Sequence, residues 1–151
     1  MEDKKIVESK VMISITRDAI DQLQILDQIK DDSSGAVVFF TGSVRNYNSK
    51  GKVEGIFYEA YEEMVEEILK KIEKEIFENW NIKKFIAIHR IGYLKVGEIS
   101  VIVGVSSEHR KEAFEVCSYG IDNIKKRCPI WKKEKMESGD SEWVEGVMIS
   151  E

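Results

Sequence analysis

Between Lys125 and Lys133 the chain carries five lysines or arginines in nine positions, with Trp131 and its only proline, Pro129, among them. Ammonium groups that are crowded and partly desolvated hold their protons less tightly, so a fraction stands as free amine near neutral pH. A free amine can attack an acyl carbon or move a proton. The same residues also have a structural reading, since Lys125, Lys126 and Arg127 would fill the last turn of a helix, where the backbone dipole favours cations. That reading does not extend to Lys132 and Lys133, which lie beyond Pro129.

A second candidate cluster lies upstream. Ser106-Ser107-Glu108-His109-Arg110 follows an apolar run and precedes Ala113, Phe114, Cys117, Ile121 and Ile124 at helical spacing. The pattern predicts a helix that starts near Ser107, with this serine as N-cap and Glu108 at the positive end of the dipole. His109 and Arg110 then sit in the first turn, where unpaired backbone N–H groups favour a phosphate, a solvated helix start being the alternative. Pro129 cannot continue a helix and disfavours helical geometry at Cys128, so the helix stops near Arg127.

The elements that must position these groups are legible in order. Residues up to about Lys10 are charged and read as loose, and Val11 to Ile15 can form a strand. From Thr16 to Lys30, Ala19, Ile20, Leu23, Leu26 and Ile29 recur at helical spacing, with Thr16 as the expected N-cap. Gly35 to Gly42 is an apolar run that suits a central strand, and it ends in Ser43-Val44-Arg45, which holds Arg45 at a fixed place. Asn46 to Gly51 reads either as a flexible loop able to close over a ligand or as a plain hairpin, before a strand over Val53 to Glu59.

Met64, Val65, Ile68, Leu69, Ile72, Ile76 and Trp80 mark one face of a helix over Glu62 to Trp80, with a solvated charged face opposite. Phe85 to Ile91 and Ile99 to Val105 are expected strands joined by a turn containing Gly92 and Gly97. His89, among Ile86, Ile88 and Ile91, reads as a structural histidine with no catalytic role. Ile130 to Met136 and Trp143 to Ile149 flank Glu137-Ser138-Gly139-Asp140 as a hairpin. Hairpins mixed with three helices give an α+β fold with a mostly antiparallel sheet.

Composition narrows the function. A chain of 151 residues, 42% hydrophobic and 34% charged, is expected to be a single domain over residues 1–151 with one core. Its net charge of -5 argues against broad nucleic-acid binding and suits a local basic site for a small anion. No basic start precedes an apolar export segment, and no run approaches the roughly 18 apolar residues that span a bilayer. Cys117 and Cys128 form no CxxC, and no His, Cys, Asp and Glu cluster has ligand spacing, so reduced thiols in a metal-free cytoplasmic protein are expected.

Five runs, in order, resemble the large, catalytic subunit of molybdopterin synthase: Gly35 to Asn46, Tyr58 to Met64, His89-Arg90-Ile91-Gly92, Ser106 to Arg110, and Pro129 to Glu134. The resemblance extends from about Ile13 to Glu145. It implies that family's α/β-hammerhead-like fold and conversion of cyclic pyranopterin monophosphate (precursor Z) to molybdopterin, with no cofactor. Sulfur would come from the C-terminal Gly-Gly thiocarboxylate of a small ubiquitin-like partner, in a heterotetramer built on a homodimer of this chain. By the same resemblance Lys125 and Lys132 are catalytic, and Ser43, Val44, Arg45, His109, Arg110, Lys133 and Glu134 bind the pterin substrate.

Cys128 departs from the family pattern, where small residues such as alanine are common. Two other readings follow from the residues themselves: a non-catalytic module that binds a phosphorylated ligand or a partner through the basic cluster, and sulfur transfer through a Cys128 persulfide. A helix from Ser107 to Arg127 also separates His109 from Lys125 by sixteen residues, about 24 Å along its axis. A pterin phosphate does not span that distance. Either the helix breaks at Gly120, or the basic turn of one subunit faces the lysines of another, as the family's dimers imply.

Overall fold

The strands divide between two sheets. A computed structural model of the chain describes residues 13–139 and 141–144. In order these are β1 (Ile13–Thr16), α1 (Gln22–Ile29), β2 (Ala36–Ser43), β3 (Tyr47–Asn48), β4 (Gly51–Ala60), α2 (Glu62–Asn79), β5 (Lys84–Arg90), β6 (Gly92–Lys95), β7 (Ile99–Ser107), α3 (Arg110–Arg127), β8 (Ile130–Met136) and β9 (Ser141–Val144). The first sheet runs β1-β5-β7-β2, and the second runs β3-β4-β8-β9 with β6 also on β4. Every pairing is antiparallel except β1 with β5. The expected α+β class with mostly antiparallel strands is therefore found, in two sheets.

Packing explains why β7 reads as a continuous apolar run. Its Val101, Val103 and Val105 face a core shared with Val65, Leu69, Ile72 and Ile76 of α2 and with Ala113, Val116 and Ile124 of α3. On the other face Ile102 meets Ile25 and Ile29 of α1. A strand covered on both faces has no polar side to alternate with. The second sheet has a smaller core of its own, made by Val44, Val53, Ile56, Leu94 and Met136.

Several expectations are corrected. Among the described residues the apolar run of β2 is an edge strand, hydrogen-bonded to β7 alone, and it leaves Val37 and Phe40 exposed. The first helix begins at Gln22 instead of Thr16, because the Thr16 carbonyl is taken by the Ile91 N–H and Asp21 supplies the cap, accepting from Leu23 and Gln24. Ile25 and Ile29 are buried there, while Leu23 and Leu26 are exposed. The turn between Gly92 and Gly97 contains a further strand, β6, which leaves the first sheet to pair with β4. Helix α3 starts at Arg110, because the β2–β7 ladder continues through Ser107 and the Ser107 hydroxyl donates to the His109 carbonyl.

Of the two readings of the segment after Arg45, the hairpin is found, with Tyr47 opposite Lys52. Val11, Met12 and Glu145 to Ile149, assigned to strands above, lie outside the described residues, as does the segment to Lys10. Among the described residues no helix is long and apolar enough to cross a membrane.

Gly104 shows how tightly β7 is fitted. It lies opposite Phe39 of β2, and a Cβ added there would overlap the Phe39 ring. Gly104→Ala should lower stability by about 1–3 kcal/mol through overpacking, read from urea denaturation, and trimming Phe39 to leucine should return part of the loss. An unchanged urea midpoint in the single variant would show that the ring moves aside freely.

Candidate active site

Helix α3 and strand β8 are joined only by Cys128 and Pro129. The helix closes with the Cys128 N–H on the Ile124 carbonyl at 3.1 Å, and the Tyr61 N–H holds the Pro129 carbonyl at 3.1 Å. This short reversal carries Lys125, in the last turn of α3, and Lys132, in β8, close enough to repel each other. Lys125 is exposed at the end of α3. Desolvation first, and Lys132 second, hold its pKa below that of an ordinary lysine. Among the described residues its ammonium has no hydrogen bond and no ion pair.

The neighbouring cations are occupied differently. Arg127 makes a two-pronged contact with Glu75 of α2, at 2.7 and 3.0 Å, and the Tyr119 hydroxyl donates to the same carboxylate at 2.7 Å. Arg127 and then Tyr119 hold the Glu75 carboxyl down at about 2. This cation fastens α2 to α3. Lys126 is exposed.

A half-buried tyrosine and a buried histidine lie behind Lys132. Tyr58 of β4 lies directly across the ladder from Lys132, and its ring meets His89 of β5 edge-on, with centroids 5.2 Å apart. His89 is 6% exposed. Its Nδ1 lies 2.8 Å from the Arg90 carbonyl, which can only accept, so Nδ1 carries the hydrogen and donates. Burial first, with the Lys125 ammonium adding to it, pushes the imidazole down to about 4, so it is neutral at pH 7. Burial also raises the Tyr58 phenol, opposed by the nearby Ser100 hydroxyl, which itself donates to the Gly42 carbonyl at 3.2 Å.

The remaining candidates are dispersed. Ser43 and Arg45 are exposed at the end of β2, with the Arg45 guanidinium 5.2 Å from the Tyr47 ring centre. Val44 is buried in the second core, and both its backbone groups are bonded, to Glu98 and Gly97. Glu134 shares the face of β8 with Lys132 and accepts from Asn48 at 2.9 Å. Lys133 alternates to the opposite face, opposite Phe57 and 5.6 Å from the Trp143 ring centre. His109 caps α3 without a side-chain bond to the helix, and its Nε2 lies 3.0 Å from a Glu108 carboxylate oxygen in solvent. Arg110 opens the same unbroken helix, fifteen residues and about 22 Å from Lys125. Among the described residues no group of three His, Cys, Asp or Glu could hold a metal ion.

This fold and this sequence have relatives. The family model described as MoaE protein matches residues 15–127. The molybdopterin synthase catalytic subunit of Thermoplasma volcanium is 40% identical over 131 residues, 87% of this chain and 96% of that one. The chain belongs to the MoaE family. The catalytic subunit of the same name from Dictyostelium discoideum is 43% identical over 140 residues, covering 90% of this chain and 88% of its own. The crystal structure of molybdopterin synthase from Staphylococcus aureus superposes with a TM-score of 0.82 at 40% identity, covering 87% of this chain and 96% of that one. A role in molybdenum cofactor biosynthesis follows from this membership.

Within this MoaE-family chain, sequence reasoning passed over Tyr58 and set His89 aside as structural. The only available signal was an ionisable residue in an apolar strand, and the strand pattern does not show that α3 ends beside it. The burial of His89 has a measurable consequence. An unfolded histidine titrates near 6.5 and the folded one near 4, so between these values only the unfolded chain takes up the proton. Stability should fall as pH drops from 6.5 to 4, by on the order of 3 kcal/mol from this group, and that component should vanish in His89→Gln. Urea midpoints measured across this range for both proteins check it.

Proposed function

We propose that this chain inserts sulfur into cyclic pyranopterin monophosphate, giving molybdopterin, with the sulfur supplied by the C-terminal Gly-Gly thiocarboxylate of a small ubiquitin-like partner. The observation that carries the reading is the Lys125–Lys132 pair. Two lysines converge from α3 and β8, one of them with a depressed pKa and no counter-ion among the described residues. Such an amine can attack the thiocarboxylate carbon or move protons at the pterin. Ser43, Arg45, His109, Arg110, Lys133 and Glu134 are the substrate contacts of this reading, with Val44 as the buried anchor of Arg45.

The alternative persulfide route through Cys128 is disfavoured by its surroundings. The residue is fully buried and its thiol is pushed up to about 12, chiefly by burial, so almost none is thiolate at neutral pH. The alternative of a binding module is addressed by turnover itself. Lys125→Ala and Lys132→Ala should each lower molybdopterin formation by about two orders of magnitude or more, while Lys126→Ala stays mild. A covalent adduct on either lysine, sought by mass spectrometry with an activated partner tail, would assign nucleophilic attack. Full activity in both alanine variants would remove the lysines from the mechanism.

The reading also requires a homodimer. With α3 continuous through Gly120, His109 and Arg110 reach a pterin near lysines only if those lysines belong to another subunit. The edge of β2, unpaired among the described residues, with exposed Val37 and Phe40, and the exposed Phe114 of α3 supply an apolar surface suited to a two-fold contact. Mixed and exchanged His109→Ala and Lys125→Ala subunits should regain roughly a quarter to a half of wild-type activity, because symmetry puts both lesions in one site. Proven exchange without recovery would place the whole site within one chain.

A further inference from the structure

Strand β3 has only two residues, and their side chains do different things. Tyr47 is exposed, with the Arg45 guanidinium 5.2 Å from its ring centre. Asn48 alternates to the other face and is half-buried. Opposite it in the hairpin stands Gly51, which has no side chain to block the way across β4. The Asn48 amide nitrogen reaches the Glu134 carboxylate of β8 at 2.9 Å and the Met136 sulfur at 3.5 Å.

This amide can stand only one way round. Its Oδ1 accepts the Lys50 backbone N–H at 2.7 Å, and the carboxylate and thioether on its other side are acceptors, so Nδ2 must face them. Aspartate would serve the turn but not the carboxylate. The bond to Glu134 is charge-assisted and stronger than one between neutral groups. Among the described residues Asn48 is the only hydrogen-bond partner of Glu134, so the second carboxylate oxygen is left uncommitted.

We propose that Asn48 is a positioning residue of the site: its bond to Glu134 fixes that carboxylate on the lysine-bearing face of β8 and fastens to the same strand the hairpin that carries Arg45. The inference rests on the reading of Glu134 and Arg45 as substrate contacts. A glutamate side chain has several free torsions, and the bond restricts them before a ligand arrives. The hairpin gains as much. Its ladder consists of two residue pairs, Tyr47 with Lys52 and Asn48 with Gly51, with the Val53 N–H donating to the Asn46 carbonyl at its base. A ladder this short is weakly stable by itself. The side-chain bond across β4 ties it to β8, and because Arg45 lies between β2 and this hairpin, the base of Arg45 is held with it.

Asn48→Asp is the discriminating change, since it keeps an acceptor for the Lys50 N–H and removes the donor to Glu134. The measurement is steady-state molybdopterin formation by the full-length chain with its thiocarboxylated partner, the pterin being varied, in a cycle with Glu134→Ala. Asn48→Asp should raise the KM for the pterin about tenfold and change kcat less than about threefold, as expected when binding common to ground and transition states is lost. In the Glu134→Ala background the same substitution should add less than about twofold, because the bond is already gone. Exchange of the Val53 amide hydrogen, followed by NMR, should quicken several-fold in either single variant and no further in the double one.

A wild-type KM in Asn48→Asp would overturn the proposal, as would losses that add in the double variant, since the two residues would then act apart. Coupling seen in Val53 exchange but absent from KM would make the bond a support of the hairpin alone and also overturn the positioning role. Should Asn48→Asp fail to fold, two changes at the other end of the bond decide instead. Glu134→Gln, whose amide oxygen still accepts from Asn48, should keep the slow Val53 exchange that Glu134→Ala loses, and equal exchange in the two would sink the idea. The exchange readout does not depend on turnover. A chain that forms no molybdopterin from partner and pterin would defeat the proposed function, while the hold of Asn48 on Glu134 would still be judged by Val53.

Discussion

The two-residue connection between α3 and β8 is the constraint on which the site depends. Cys128 ends the helix with a last backbone bond to Ile124, and Pro129, which has no N–H to offer, turns the chain into the β4–β8 ladder. A longer linker would let the end of α3 drift from the sheet. The short one holds two lysines from different elements against each other, in spite of their repulsion. The cost of that repulsion is met by the surrounding packing: Ile124, Cys128 and Ile130 are all part of the main core.

Two further interactions keep that end of the helix in register. The Arg127–Glu75 contact ties α3 to α2 within one turn of Lys125, and Tyr119 and Asn123 complete the cluster. Gly120 allows close approach from below, since a Cβ there would stand 3.0 Å from the Phe85 ring and 3.2 Å from Val103. The helix is therefore seated by its middle and clamped near its end, and Lys125 inherits that rigidity. Strand β6 does the corresponding work for the sheets. It continues from β5 and pairs with β4, so His89 on one sheet and Tyr58 on the other meet across the junction.

The charges of the site are divided by function. Arg127, for all its closeness, is consumed in holding two helices together. Lys133 points to the far face of β8, among Phe57 and Trp143. The lysine with the depressed pKa is left partly desolvated and beside Lys132, a setting in which a proton is more easily given up.

Much of this was determined by the sequence alone. Apolar spacing marked α2 and most of α3, Pro129 marked the end of α3, and the density of lysines around it marked the site, because these signals are local and need only a few consecutive residues. Tertiary contacts decided what local signals could not. Thr16 and Ser107 look like helix caps but are bound into ladders by distant strands, and the apolar β2 run lies at an edge of the sheet among the described residues. The run Lys132-Lys133-Glu134 is one cluster in sequence and two faces in space, since a strand alternates its side chains. The unbroken path of α3 through Gly120 and the meeting of His89 with Tyr58 required the folded chain. They depend on which surfaces pack together, and that depends on residues thirty or more positions apart.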